Sequence, residues 1–254
     1  MNAETPQAAE LNLPQAFLLL ATNDKDGKPE VPMYALRTTL AGAILAELDL
    51  IGAIGLQGKR VRATGTAPQT DFQHELELIR GKSRPHTPKR WVSMLEGRAE
   101  AQRVYEGMAA LGIVEHVGEK HLGLFRTVRY PEKDHAPEAA LLKVIQAALS
   151  GAPADVGTPD ATATDAGTPD STETDVGARD AGTPAPAKPD DKAPDARTTA
   201  LIALLQAAGL LGKLVPAADK IRASGLAKDY WPSRAVEDEL RMIRLAEEEE
   251  PGIA

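Results

Sequence analysis

No cysteine occurs in the 254 residues of the chain. Disulfide cross-links and thiolate metal ligands are thereby excluded, and a reducing, cytoplasmic setting is expected. Long apolar runs are missing as well. A membrane-spanning helix needs about 20 mostly uncharged residues, and the longest late run, Ala200 to Leu214, is broken by Gln206 and Lys213. Phe17 to Ala21 is too short for the apolar core of a secretory leader, and no basic residue precedes Lys25. These absences predict a soluble protein.

Catalytic signatures are lacking too. Arg80-Gly81-Lys82-Ser83 imitates the end of a phosphate-binding loop, but the glycine such a loop needs five residues before Gly81 is Leu76. No serine stands in a Gly-x-Ser-x-Gly turn. None of His74, His86, His116, His121 and His135 is paired with another at ligand spacing on a helix. The expectation is a protein that is not an enzyme, with no cofactor and no metal.

What is present is unevenly distributed. Of the net charge of −8, residues 151–195 carry −7, from ten acids against Arg179, Lys188 and Lys192, and Glu247 to Glu250 add −4. About +3 is left on the remainder, which permits an anionic partner without demanding one. Within 151–194 a ten-residue period runs from Asp155-Val-Gly-Thr-Pro-Asp160 to Asp165-Ala-Gly-Thr-Pro-Asp170 and more loosely from Asp175. Val156 and Val176 are the only large apolar residues there, too few to offset the entropy of ordering. This segment is expected to be a disordered acidic linker. Its aspartates lack the alternate spacing and closing glutamate of a calcium loop.

The most informative stretch is Leu40 to Gly52, apolar on nearly every side of a helix yet carrying Glu47 and Asp49. It reads as a buried core helix, Leu40–Ile51, with its acids steered to an edge or a partner and Gly52 as C-terminal cap. Asn12 caps a preceding helix with Pro14 in its first turn. A hairpin over Ile54 to Ala63 turns at Gln57 and Gly58. Helices follow from Asp71 to Gly81, from Thr87-Pro88 through Leu95, and from Arg98 to Leu111. Ile113 to His116, a turn at Gly118 and Leu122 to Tyr130 suggest a second hairpin, and Ala139 to Leu149 a helix. Arg197 to Ala208, Pro216 to Ser224 and Arg234 to Leu245 read as three last helices, too little on their own to bury a core.

The order Gly42, Leu45, Glu47, Leu48, Leu50, Gly52 entering a hairpin resembles the Golgi phosphoprotein 3 family. The opening Leu11, Leu13, Leu18, Leu19, Leu20 before an acidic-glycine turn, Trp91, Gly112 before Leu124 and Phe125, and Asp195 with Arg197 to Leu205 extend the resemblance to roughly Leu11–Ala246. It implies a mostly α fold: one helical domain with two small β-hairpins, in two parts (11–150 and 195–246) around the linker 151–194, with an acidic tail at 247–254. It also implies a peripheral adaptor at the cytoplasmic face of a membrane, binding phosphatidylinositol 4-phosphate or another anionic phospholipid head group, and client membrane proteins.

In the family that lipid is held by a tryptophan before the second helix, an arginine within it, and two arginines one turn apart on a later helix. These positions fall here on Pro32, Ala41, Arg98 and Ala101. Tyr34 and Arg37 stand close to the first two and Arg103 near the last. The resemblance thus implies head-group binding by Arg98, Arg37, Arg103, Arg90 and Tyr34, and membrane contact by Leu124, Phe125 and Val128 of the second hairpin. Independently, Arg80, Lys82, Arg84, Lys89 and Arg90 concentrate positive charge beside Trp91, a pattern suited to phosphorylated head groups and equally to a solvated loop.

Two other classes compete. A protein-interaction scaffold keeps the adaptor role without lipid. A winged-helix nucleic-acid binder would use Arg98–Leu111 and the hairpin after it, but Glu96, Glu100 and Glu106 interrupt that basic face, so no nucleic acid is expected.

Overall fold

The computed structural model describes residues 11–65, 68–121, 125–151 and 194–249. The chain is mostly helical, with two small antiparallel hairpins. In order, the elements are α1 (Leu13–Leu20), α2 (Met33–Leu50), β1 (Ile54–Gln57), β2 (Arg60–Ala63), α3 (Gln73–Arg80), α4 (Pro88–Leu95) and α5 (Arg98–Ala110). There follow β3 (Val117–His121), β4 (Phe125–Arg129), α6 (Ala136–Ser150), α7 (Ala196–Ala207), α8 (Leu211–Leu214), α9 (Lys220–Ala227) and α10 (Trp231–Glu249). The segment read as a disordered linker lies almost wholly outside the described residues.

The axis of the fold is α2. Every residue from Thr38 to Leu48 is buried, and α1, α4, α5, α7 and α10 pack around it. Encirclement explains why the helix lacks an amphipathic stripe: with neighbours on all sides, no face is left for polar residues. Small residues permit the close packing. At Gly42 an added Cβ would lie 2.2 Å from Cγ2 of Val236, so α10 crosses where α2 has no side chain. Replacing Gly42 with alanine should destabilise through this overlap, and adding Val236→Ala should recover much of the loss; thermal melts of both variants check it.

The two acids of α2 meet partners distant in sequence. A carboxylate near a helix C-terminus opposes the macrodipole and needs compensation. Both Glu47 oxygens accept from Arg197 of α7, at 2.6 and 2.9 Å, and one also accepts from the Leu13 N–H at 2.8 Å. One carboxylate therefore joins α1, α2 and α7. Asp49 accepts from Nε1 of Trp231 at 3.1 Å, and burial raises its pKa. Through these contacts and α10's packing on α2 and α4, the last helices share the core of residues 11–151.

Local signals fix most helix ends. Asn12 and Gln15 exchange side-chain and backbone hydrogen bonds in a capping box at α1. Thr87 and Asp195 cap α4 and α7, and Gly52, with φ +70°, ends α2.

Three expectations need correction. Helix α2 begins at Met33, seven residues before Leu40, because Tyr34 and Leu36 also pack inward. Gly118 is no turn; it sits inside β3 opposite Val128, while Ile113 and Val114 are buried ahead of the strand. The helix expected over Pro216–Ser224 is there but begins four residues later, as α9, with the short α8 ahead of it. The carboxylate of Asp219 accepts from the N–H groups of Ile221 and Arg222 and sets the start of α9.

Candidate lipid-binding corner

The first turns of α2 meet the junction between α4 and α5. Thr38 donates from its hydroxyl to Glu96, the residue that ends α4, over 2.7 Å. Arg37 immediately precedes that threonine. Arg98 follows the glutamate by two residues, as the first residue of α5 after the Gly97 cap. Gly97 supplies no side-chain cap; the carboxylate of Glu100, in the first turn of α5, lies against it instead.

Arg98 and Arg90 are exposed, and neither guanidinium has a partner among the described residues. Arg37 is half-buried; its Nε is enclosed without a hydrogen-bond partner. Tyr34 packs partly against the core. Arg90 stands at the other end of α4 from Glu96. Arg103 points elsewhere: it pairs with Glu75 of α3, whose side chain is fully buried, and lies 3.9 Å from Glu100. It borders a separate cavity of about 260 Å³ with Asn12, Gln15 and Phe72.

The corner is not purely cationic. Burial raises the pKa of Glu96; the Thr38 hydroxyl acts against this and the charge of Glu239 reinforces it. Glu239, from α10, lies 3.8 Å from Lys89. Of the family positions, Pro32 is the N-cap of α2, and Ala41 and Ala101 are buried side chains with no polar group to offer.

Sequence reasoning found the loop cations of a second basic face but passed over the arginines of β2 that join them. On β2, Arg60 and Arg62 point outward while Val61 points inward, the strand alternation that Arg-Val-Arg encodes. The Val61 N–H bonds to the His86 carbonyl and Arg60 to that of Pro85, holding the 81–87 loop against the hairpin. Arg62, Lys82 and Arg84 are exposed there and, among the described residues, have no acidic partner. Arg80 pairs with Glu77.

Of the second hairpin's apolar residues, Val128 is exposed on β4. Phe125 opens β4 opposite His121, its side chain lying outside what is described, as does Leu124 altogether.

A third polar site was not foreseen. Asp24 from the α1–α2 turn, Glu132 after β4 and His135 at the start of α6 bring one potential ligand atom each within 4.8 Å of one another. Glu138, one turn into α6, lines a cavity of about 210 Å³ with Asp24 and Lys213. Burial, then repulsion by Asp24 and Glu132, pushes its pKa up to about 8. The two ends of this constellation stand too far apart in the chain for any spacing rule to join them.

None of the described helices is long and apolar enough to cross a membrane. A search of curated proteins finds no match. A family model does match, from the first residue of α1 into α10 (residues 13–243); its description is Golgi phosphoprotein 3, a family of non-enzymatic, Golgi-associated adaptors. With most of its length so matched, the chain belongs to the Golgi phosphoprotein 3 (GPP34) family.

Proposed function

We propose that the protein is a peripheral adaptor that docks reversibly on anionic membrane surfaces. One observation carries this reading. Arg62, Lys82, Arg84, Arg90 and Arg98 are all exposed, and none has an acidic partner among the described residues. In a chain of net charge −8, five such free cations, on β2, the 81–87 loop, α4 and the start of α5, stand against the overall acidity. Each cation near an anionic leaflet contributes on the order of 1 kcal/mol, so several together give weak, salt-dependent docking. Arg98 and Arg37 supply head-group contacts at the corner, and Val128 lies on the hairpin expected to touch the bilayer. Arg103 contributes charge only, being held by Glu75.

Flotation with vesicles of neutral lipid, of phosphatidylserine and of phosphatidylinositol 4-phosphate tests the proposal. Binding to acidic vesicles at low salt should fall by at least tenfold in Arg90→Glu/Arg98→Glu, with the circular dichroism spectrum unchanged. Arg103→Glu is unsuited to this purpose, because it would set a second acid against buried Glu75. A preference for phosphatidylinositol 4-phosphate over equal charge of phosphatidylserine would assign a head-group pocket; equal binding would assign charge alone. No binding by the unaltered chain at low salt would sink the proposal. A scaffold without lipid affinity would then stand, a reading that Glu96 and Glu239 at the corner favour.

A further inference from the structure

Resting on the docking reading above, we propose that a recess beside the first hairpin holds the terminal phosphomonoester of a membrane lipid, and that the phosphate alone is what it reads. Three cations ring a hollow of about 340 Å³: Arg62 of β2, Arg80 at the end of α3, and Lys82 in the loop that follows. Val61, Ile79 and Pro85 supply its apolar lining, the first two buried. Backbone contacts fix the walls. The Val61 N–H donates to the His86 carbonyl at 2.9 Å, Arg60 donates to the Pro85 carbonyl at 2.6 Å, and the Thr64 N–H donates to the Ala53 carbonyl at 2.9 Å.

A cation near a helix C-terminus needs no ligand to explain it, because it complements the macrodipole. That accounts for Arg80 and Lys82 but not for Arg62. Arg62 comes from the hairpin, and its cross-strand neighbour is Gly55, which has no side chain to meet it. Neither Arg62 nor Lys82 has an acidic partner among the described residues. Arg80 gives one N–H to Glu77 at 2.8 Å and keeps its other guanidinium donors. The two segments that build the recess carry no acid of their own: none occurs from Gly52 to Thr70 or from Leu78 to Leu95. Cations gathered without counter-charge repel one another, and an anion placed among them relieves that repulsion.

The lining chooses among anions. A phosphomonoester carries a charge of about −1.5 to −2 near pH 7 and three free acceptor oxygens; a phosphodiester has a single charge and two. Three cations match three oxygens, and the guanidinium forks of Arg62 and Arg80 suit such oxygens two at a time. Sugar hydroxyls find no reader here. The one neutral hydroxyl in the lining is that of Thr64, which donates to the carbonyls of Gly52 and Ala53 at 2.5 and 3.1 Å. The recess therefore suits a bare phosphate such as that of phosphatidic acid, and an inositol ring adds nothing to the fit. It stands on other elements than the positions implied for the family's lipid, which fall on Pro32 and Ala41 of the α2 segment and on Arg98 and Ala101 of α5.

The test is flotation of the full chain with vesicles of phosphatidic acid and of phosphatidylglycerol in a neutral carrier lipid, adjusted to equal surface potential. Phosphatidic acid should be bound about tenfold more tightly, the worth of one added charge-assisted hydrogen bond. Arg62→Gln/Lys82→Gln should abolish that preference while weak docking on both vesicles remains. The circular dichroism spectrum should not change, because both side chains are exposed and unpaired among the described residues. Arg98→Gln, on α5, should weaken docking on both vesicles and keep the preference. Calorimetric titration with glycerol 3-phosphate checks the source of the phosphate. It should bind no tighter than about millimolar, since a lipid also gains from the charged surface around it. Micromolar binding of glycerol 3-phosphate overturns the lipid assignment. Equal binding of the two vesicles by the unaltered chain overturns the recess and leaves charge-driven docking standing. A preference that survives the double variant overturns the recess too. Absence of binding to either vesicle removes the docking and the recess together.

Discussion

Replacing Arg197 with alanine should lower the melting temperature by about 6–12 °C, measured by calorimetry or circular dichroism. The change leaves Glu47 only 8 % exposed at its side chain and without its guanidinium partner. Removing one member of a buried pair costs about 3–5 kcal/mol. Arg197 is 37 % exposed at its side chain, and screening there places the loss near the lower end, about 3 kcal/mol. For a domain of this size each kcal/mol displaces the midpoint by roughly 2–4 °C. Water cannot replace the arginine in full, since Glu47 also holds the Leu13 N–H that begins α1. Adding Glu47→Gln to Arg197→Ala should recover part of the stability: an amide is cheaper to bury than a lone carboxylate and still accepts from Leu13. A single mutant melting within 2 °C of the parent would show that the pair is not a structural joint.

Gly27→Ala should cost a similar amount by an unrelated route. Gly27 has φ +63°, in the left-handed region, where a side chain costs roughly 1–2 kcal/mol. An added Cβ would also lie 2.5 Å from the backbone nitrogens of Tyr130 and Pro131. Those are main-chain atoms, so no rotamer change relieves the overlap, and the turn from Asn23 to Lys28 must lift away. The combined loss is about 3 kcal/mol. Hydrogen exchange should locate it: the Glu132 amide, bonded to the Asp24 carbonyl, should lose protection while amides in the middle of α2 keep theirs. Equal protection at Glu132 in mutant and parent would refute this account.

These two positions show what a sequence does and does not disclose. Gly27 announces itself as part of an acidic-glycine turn, but the backbone it presses against comes from the far end of the second hairpin. Glu47 and Asp49 stand out as charges in an apolar helix and so declare that partners exist. Their identities, Arg197 and Trp231, depend on how α7 and α10 return to α2. The helix ends at Asn12, Thr87 and Gly52 were legible because capping is a matter of three or four adjacent residues; the Asp195 cap of α7 was equally local and was not read. Pro216 misled for the same local reason: it suits a helix start, but the Asp219 carboxylate captures two free N–H groups and proline captures none. At the candidate site, the basic loop was legible as composition. The commitment of Arg103 to Glu75 was not, nor was the approach of Asp24 to His135, because both are products of tertiary packing.

The Glu47–Arg197 joint also bears on how the chain is made. Its partners are 150 residues apart in sequence. At the usual synthesis rates of about 5–20 residues per second, roughly 8–30 s pass between the appearance of the glutamate and that of its arginine. Throughout that interval α2 has neither α7 nor α10 beside it, and a helix built to be enclosed on every side keeps apolar flanks open. The nascent chain therefore exposes apolar surface until its last quarter is translated, and slowing the ribosome between the two residues should lower the yield of soluble protein.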